Sequence, residues 1–206
     1  MERHHLGQQH TAICKKDVIS FFDRLAPGWE KDLVVDTEKI NTILDTAGVR
    51  AGTKVLDVAC GTGVLFPFYQ QRHVAEVLAV DISPEMARIA AGHAVPPIRV
   101  VCNDIETMRA VNAYDCCVVY NAFPHFADPA GLVEQLSHWL KPGGRLTVAH
   151  SMGIEQLNRH HAGSAAKVSM AMLPAADLAE IFSQWFAVDA SISDEGTYLV
   201  SGTRKG

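Results

Sequence analysis

Short, unbroken apolar runs alternate with segments of helical periodicity along the middle of the chain. The runs predict five strands, at residues 54–58, 76–80, 98–102, 115–120 and 145–150. Strands that alternate with helices are typical of βαβ units, and strands without polar alternation suit a sheet that is covered on both faces. We therefore predict a doubly wound, mostly parallel α/β sheet.

The two ends of the chain depart from this alternation. A helical segment at 18–25 precedes the sheet and is not needed to build it, so we predict that it caps the functional site. The runs 186–192 and 197–203 predict a terminal antiparallel hairpin, which brings the sheet to seven strands. We predict one domain with four parts: an N-terminal helical cap (1–36), a core (37–150), an inserted lid with a weak helical pattern (151–173), and a C-terminal helix and hairpin (174–206).

Composition and charge narrow the class of partner. The 206 residues are 48% hydrophobic and 20% charged, which is enough apolar material for a sizeable core. The net charge is −5 and no basic cluster is longer than Lys15-Lys16, which disfavours a nucleic-acid partner. Because the longest apolar runs are strand-sized and residues 1–12 lack a secretory signal, we predict no membrane span and a cytoplasmic location. The five cysteines show no disulfide spacing, so we predict free thiols.

The loop after the first predicted strand carries the most informative motif. The strand contains Asp57 and is followed by Ala59-Cys60-Gly61-Thr62-Gly63. Two glycines let the backbone approach a ligand closely, at the carboxyl edge where open α/β sheets bind ligands. A dinucleotide fingerprint needs a third glycine where this chain has Phe66, which disfavours a nicotinamide cofactor.

Acidic residues stand at the ends of the next two predicted strands. Asp81 follows the second strand, 24 positions after Asp57, where a carboxylate can accept hydrogen bonds from both hydroxyls of a ribose. Asp104 and Ile105 follow the third strand and suit the amino group and the ring face of an adenine. Because the carboxyl ends of parallel strands share one edge, we predict a nucleotide-like cofactor there.

In combination these motifs resemble the class I S-adenosylmethionine-dependent methyltransferases, which have a Rossmann-like fold. The resemblance covers roughly residues 18–150 and includes Leu140-Lys141-Pro142-Gly143-Gly144 before the fifth strand. It implies S-adenosylmethionine as the cofactor and methyl transfer to a small-molecule acceptor as the activity. It also implies a set of cofactor-binding residues: Asp57, Ala59, Cys60, Gly61 and Gly63 around the methionine moiety, Asp81 and Ile82 at the ribose, Asp104 and Ile105 at the adenine, and Asn121 near the methionine end.

Two further resemblances bear on the acceptor. Residues 21–29 are similar to the start of the quinone-biosynthesis C-methyltransferases, where the segment folds over the cofactor, and Trp29 could face the sulfonium through cation–π attraction. Those enzymes carry Arg-Asn-Val after the fourth strand, whereas this chain has Asn121-Ala122-Phe123, which disfavours a quinone. Asn121 is also not followed by the Pro-Pro-aromatic run of methyltransferases that act on amino groups of nucleic acid or glutamine.

Three histidines are candidates for a base or for substrate positioning. His125 follows the fourth strand, His150 ends the fifth, and His161 lies in the predicted lid. A base is needed only if the acceptor must lose a proton, and imidazole titrates near neutral pH. The spacing of these histidines does not favour zinc, so we predict no metal. Oxygen, sulfur, nitrogen and carbon acceptors remain open, as do an NAD-dependent oxidoreductase and a non-catalytic cofactor-binding protein.

Overall fold

A seven-stranded sheet forms the centre of the protein. The computed structural model describes residues 13–31, 33–161, 163 and 165–206, and for residues 160 and 161 the backbone alone. The strands are β1 Lys54–Val58, β2 Glu76–Asp81, β3 Ile98–Cys102, β4 Tyr114–Tyr120, β5 Leu140–His150, β6 Phe186–Ser193 and β7 Tyr198–Arg204. Their order is β3-β2-β1-β4-β5-β7-β6, with β1 to β5 parallel and β7 antiparallel to both of its neighbours. The predicted fold class, including the terminal antiparallel hairpin, is confirmed.

Helices cover the sheet, and some of them begin at a residue whose side chain caps the first turn. They are α1 Lys15–Leu25, α2 Thr37–Thr46, α3 Phe66–Gln71, α4 Pro84–His93, α5 Pro129–Trp139, α6 Ile154–His161 and α7 Ala175–Ser183, with 3-10 turns at Ala26–Lys31 and Phe123–His125. The Ser83 hydroxyl accepts from the Met86 amide at 3.2 Å, which is the predicted N-cap of α4. No helix in the described ranges is long and apolar enough to cross a bilayer.

The core has one apolar layer on each face of the sheet. Alternate residues of a strand enter opposite layers, so Leu56 and Cys117 lie in one layer while Val55 and Cys116 lie in the other. The adjacent cysteines therefore fill small apolar sites on opposite faces, as predicted. All five cysteines are free.

Three local features differ from the sequence-based expectations. Helix α3 was not predicted; it is short and is held by burial of Phe66 and Phe68, a tertiary effect rather than a strong helical pattern. Strand β5 begins at Leu140, ahead of the predicted residue 145, because its first residue pairs with β4 before a register shift, and Gly143 turns the chain with φ +77°. Residues 154–161 form α6, within the segment 151–173 for which the sequence indicated a lid with only a weak helical pattern.

Candidate active site

A cavity of about 820 Å³ opens at the carboxyl edge of the parallel strands. It is lined by the loops that follow β1 to β5, by α1, and by part of the segment that follows β5. The order of the strands reverses between β1 and β4, and such a switch point is where open α/β sheets form a ligand crevice. Eleven of the fourteen predicted site residues line this cavity: Trp29, Ala59, Cys60, Gly61, Asp81, Ile82, Asp104, Ile105, Asn121, His125 and His150.

The other three predicted site residues are placed differently. Gly63 lines a smaller cavity of about 510 Å³ on the other side of the glycine loop. Asp57 is 2% exposed and does not line the main cavity. His161 ends α6, and its side chain lies outside the described part of the structure. The first two residues therefore support the loop from behind instead of facing the main cavity.

The glycine loop turns through three residues with positive φ, at Ala59, Gly61 and Gly63. The Cys60 amide donates to the Val80 carbonyl at 3.1 Å, which fixes the loop against the end of β2. A Cβ on Gly61 would meet no atom within 4 Å, so bare backbone faces open space there. At Gly63, by contrast, a Cβ would lie 2.6 Å from the ring of Phe66.

Phe66 therefore explains one glycine of the loop. Its ring is almost fully buried and occupies the volume that a side chain at Gly63 would need. The third glycine of a dinucleotide fingerprint would bring helix and strand together at this point, and the Phe66 ring fills that space instead. Gly63 is thus required by internal packing, while Gly61 leaves room for a ligand.

Asp81 is the buried carboxylate at the centre of the cavity. One oxygen accepts from the Gly61 amide at 2.8 Å and the other accepts from the Ser83 amide at 2.9 Å. Burial raises the pKa of Asp81 to about 6, against the lowering effect of these hydrogen bonds. Two carboxylate oxygens offer about four acceptor positions, so capacity for a hydroxyl donor remains beyond the backbone amides of Gly61, Ser83 and Ile82.

Asp57 is a second buried carboxylate, behind the loop. Burial raises the pKa of Asp57 to about 7; the Tyr69 hydroxyl lowers it and the charge of Asp81 adds to the rise. At neutral pH both carboxyl groups are close to their titration points. Holding a negative charge in this buried region is therefore unfavourable, and a ligand with several hydrogen-bond donors would stabilise the charge at Asp81, which lines the cavity.

The adenine-side residues are tied to helix α1. Asp104 accepts from the Lys15 ammonium at 2.5 Å through one oxygen and from the Glu106 amide at 3.0 Å through the other. Lys15 also lies 2.8 Å from the Glu106 carboxylate. Ile105 is 4% exposed and lines the cavity beside them.

Helix α1 is fixed at a second point, above Asp81. The Asp23 carboxylate accepts from the Ser83 hydroxyl at 2.5 Å and from the Glu85 amide at 3.1 Å. Val18 of α1 packs with Ala165 and Val168 of the segment that follows α6. Two chain segments that are distant in sequence therefore meet over the cavity and narrow its opening.

The ends of β4 and β5 are joined by a pair of hydrogen bonds. Asn121, with φ +54°, accepts from the Ser151 amide at 2.8 Å and donates its side-chain amide to the Ser151 hydroxyl at 3.1 Å. The Lys39 ammonium donates to the Ser151 carbonyl at 2.9 Å. This network holds the Asn121 backbone in a left-handed conformation at the edge of the cavity.

The two described histidine candidates have different surroundings. His125 is half-buried, its Nδ1 lies 2.8 Å from the Val168 carbonyl oxygen, and its ring meets that of Phe22 edge-on at 4.9 Å. His150 is fully buried at the end of β5, where its ring is 6.0 Å from that of Tyr198. Both line the cavity.

Sequence reasoning missed several residues that shape the site. Ser151 and Met152 come directly after the fifth strand, so their position at a carboxyl edge was a signal that could have found them. Lys15 and Asp23 gave no such signal, because their partners lie 89 and 60 residues further along the chain.

Comparison with known proteins agrees with this geometry. Residues 55–144 match a family model described as a methyltransferase domain. A ubiquinone biosynthesis O-methyltransferase from Xylella fastidiosa (strain 9a5c) is 35% identical over 104 residues, which are 48% of this chain and 42% of that protein. The chain thus spans less than half the length of this curated relative.

Solved structures show the same fold over nearly the whole chain. The [4+2]-cyclase SpnF has a TM-score of 0.75 at 14% identity, covering 94% of this chain and 97% of that one. The N-methyltransferase NodS from Bradyrhizobium japonicum WM9, solved with S-adenosyl-L-homocysteine, has a TM-score of 0.71 at 16% identity, covering 91% and 98%. At such low sequence identities, these two structures show the fold alone. The matched domain and the curated relative confirm the predicted resemblance: residues 55–144 of this chain are similar to the S-adenosylmethionine-dependent methyltransferases.

Proposed function

We propose that this protein transfers the methyl group of S-adenosylmethionine to a small-molecule acceptor. The observation that carries the proposal is the convergence of Gly61, Asp81 and Ile105 on one cavity at the carboxyl edge of the sheet. When bound, the cofactor supplies an electrophilic methyl group and a thioether leaving group. The protein has to bind it, align the acceptor and exclude water.

The residues present fit the proposed cofactor. The open space beside the Gly61 backbone has room for the methionine part of the cofactor, which a side chain at position 61 would block. Asp81 has acceptor capacity left after its bonds from backbone amides, which suits a ribose hydroxyl. Asp104 would share its carboxylate between Lys15 and an adenine amino group, and Ile105 supplies an apolar surface for the ring.

The remaining predicted cofactor residues fall into two groups. Ala59, Cys60, Asn121, Ile82 and Trp29 line the cavity. We assign the first three to the methionine end, Ile82 to the ribose and Trp29 to the sulfonium. Asp57 and Gly63 are assigned a supporting role, since neither faces this cavity.

A small molecule is the acceptor that the dimensions favour. Ligand pockets commonly measure about 300 to 1,000 Å³, and a cavity of about 820 Å³ has room for the cofactor and a compact second molecule. The net charge of −5 gives no electrostatic attraction for nucleic acid. The curated relative is named for O-methyl transfer in ubiquinone biosynthesis, which makes oxygen the first acceptor atom to test.

A non-catalytic or differently catalytic use of the same cavity is the second candidate. One structural neighbour on this fold is named as a cyclase, so the fold by itself does not fix the chemistry. An NAD-dependent oxidoreductase is disfavoured by the Phe66 ring, which stands where a third glycine would be.

Calorimetric titration of the purified protein with S-adenosylhomocysteine, with NAD⁺ as the comparator, tests the proposal. We expect saturable binding of S-adenosylhomocysteine and none of NAD⁺. Asp81→Ala should weaken binding by about 1 to 3 kcal/mol, the range for leaving buried polar groups unpaired. Glu134→Ala, an exposed acidic residue on α5, is the matched control and should bind normally. Absence of binding to the unaltered protein would exclude methyl transfer.

A further inference from the structure

A lysine outside the cavity supports the end that we assign to the methionine moiety. Lys39 lies on α2 and does not line the cavity, and its side chain is 25% exposed. Its ammonium donates to the Ser151 carbonyl at 2.9 Å and to the Gly196 carbonyl at 2.7 Å. The two acceptors are 112 and 157 residues further along the chain. One side chain of α2 therefore joins the segment after β5 to the turn between β6 and β7.

The chemistry of the Lys39 ammonium suits this link. An ammonium carries three N–H donors at the end of a flexible stem, and hydrogen bonds from a charged donor are roughly twice as strong as neutral ones. The Asp36 carboxylate is 3.9 Å from the ammonium, which is beyond hydrogen-bonding distance. The charge of Lys39 is therefore directed at two backbone carbonyls and holds two loops together.

The two segments that Lys39 joins also meet directly. The Gly153 amide donates to the Glu195 carbonyl at 3.2 Å, and a Cβ on Gly153 would lie 2.2 Å from the Asp194 carbonyl oxygen. The Asp194 carboxylate accepts from the Gly196 amide at 2.8 Å, which orders the turn. The segment after β5 is thus held between α2 and a closely packed turn.

Ser151 transmits the position of Lys39 to the cavity. The Ser151 amide donates to Oδ1 of Asn121 at 2.8 Å, its hydroxyl accepts from Nδ2 of Asn121 at 3.1 Å, and both residues line the cavity. Asn121 has a φ of +54°, which is uncommon for a residue with a side chain. A shift of Ser151 would therefore move the backbone at the end of β4, where we assign the methionine moiety.

The adenosine half of the cavity has separate supports. Asp81 accepts from the amides of Gly61 and Ser83, and Asp104 accepts from the Lys15 ammonium. These donors belong to the glycine loop, to the start of α4 and to α1. Loss of the Lys39 contacts should therefore disturb one half of the cofactor site and leave the other in place.

We propose that Lys39 is a positioning residue for the cofactor. It holds Ser151 and Asn121 at the methionine end without touching the ligand, so that removing its ammonium weakens the binding of the amino-acid part and spares the adenosine part. The inference rests on the proposed binding of S-adenosylmethionine.

Two ligands that share the adenosine and the sulfur atom separate this role from a structural one. S-adenosylhomocysteine carries the amino-acid part, and 5′-methylthioadenosine has a methyl group in its place. We expect Lys39→Met to weaken S-adenosylhomocysteine binding about 5- to 20-fold in calorimetric titration, the equivalent of one or two hydrogen bonds. The affinity for 5′-methylthioadenosine, titrated up to millimolar concentration, should change by less than about twofold.

Matched variants separate this effect from a general loss of stability. Methionine is a good helix former, so Lys39→Met keeps α2. Arg72→Met is the control, because the Arg72 guanidinium holds the same helix elsewhere, through Asn41 at 2.6 Å and Asp45 at 2.7 Å. It should change both affinities by the same factor. Lys39→Gln keeps a donor for one carbonyl and should show the selective loss of Lys39→Met at a smaller size, with urea unfolding recording the stability of each variant.

Every other result contradicts the inference in a distinguishable way. Equal losses for the two ligands in Lys39→Met and Lys39→Gln would assign Lys39 a structural role, and unchanged affinities would assign it none. Binding of S-adenosylhomocysteine but not of 5′-methylthioadenosine by the unaltered protein would show that the two halves of the site are not supported separately. Failure of the unaltered protein to bind S-adenosylhomocysteine would remove the proposed function together with this inference.

Discussion

The affinity for S-adenosylhomocysteine should depend on pH through Asp81. Burial raises the pKa of this carboxyl to about 6 in the ligand-free protein. Its ionised form accepts hydrogen bonds from hydroxyl donors better than its neutral form does. A ligand that offers two hydroxyls therefore binds the ionised protein preferentially, and the affinity should rise with pH between 5 and 7.

The size of the effect follows from the ionised fraction. With a pKa of about 6, roughly one molecule in eleven is ionised at pH 5 and about ten in eleven at pH 7. If only the ionised form binds, the dissociation constant falls about tenfold over this interval, or about 1.4 kcal/mol. The nearby groups act in known directions: the charge of Asp23 adds to the rise in the pKa of Asp81, and the backbone amides of Ser83, Gly61 and Ile82 oppose it.

Calorimetric titrations at pH 5, 6 and 7 measure this dependence. The ligand's own carboxylate and ammonium groups change little over that range. Asp81→Asn is the control, because it removes the titrating group: we expect weaker binding with a nearly flat pH dependence. Equal affinity of the unaltered protein at pH 5 and pH 7 would refute a direct role for the Asp81 carboxylate in binding.

Three further predictions concern the loop and the segment after β5. Because Asp57 has its pKa raised to about 7, it keeps a proton in the fold that it loses on unfolding, so the free energy of unfolding should fall as pH rises from 4 to 7. Asp57→Asn should flatten that slope in urea titrations, and parallel slopes would contradict it. Gly63→Ala should cost about 1 to 3 kcal/mol of stability because the new Cβ lies 2.6 Å from the Phe66 ring. Gly61→Ala should cost about 1 kcal/mol of stability because residue 61 has a left-handed φ, and its main effect should be weaker binding of S-adenosylhomocysteine. If Gly61→Ala lowered stability more and Gly63→Ala weakened binding more, the assignment of Gly63 to packing and of Gly61 to the ligand would be wrong. Gly153→Ala places a Cβ 2.2 Å from a backbone carbonyl of the β6–β7 turn and should lower the thermal midpoint by about 2 °C or more, at roughly 2 to 4 °C per kcal/mol for domains of about 150 to 250 residues. An unchanged midpoint would show that the turn moves aside without cost.

The sheet was predictable because its determinants are local. Each parallel strand is a short apolar run, and Ser83-Pro84 gives the start of α4 by capping chemistry alone. Helix α3 escaped prediction because it is held by burial of Phe66 and Phe68 under the sheet edge, and nothing in a window of a few residues reports that burial. The residue type of Phe66 was nevertheless informative. A phenylalanine where a dinucleotide fingerprint has its third glycine disfavours a dinucleotide site, and the packing of its ring on Gly63 agrees with that prediction.

The cofactor half of the site was predictable for a topological reason, and the acceptor half was not. Asp81 ends a parallel strand, and Asp104 and Asn121 each come soon after one, so the fold alone brings them to one edge. His125, by contrast, contacts the Val168 carbonyl, 43 residues further along the chain. Every residue has a backbone carbonyl, so the residue type at position 168 could not have predicted this contact.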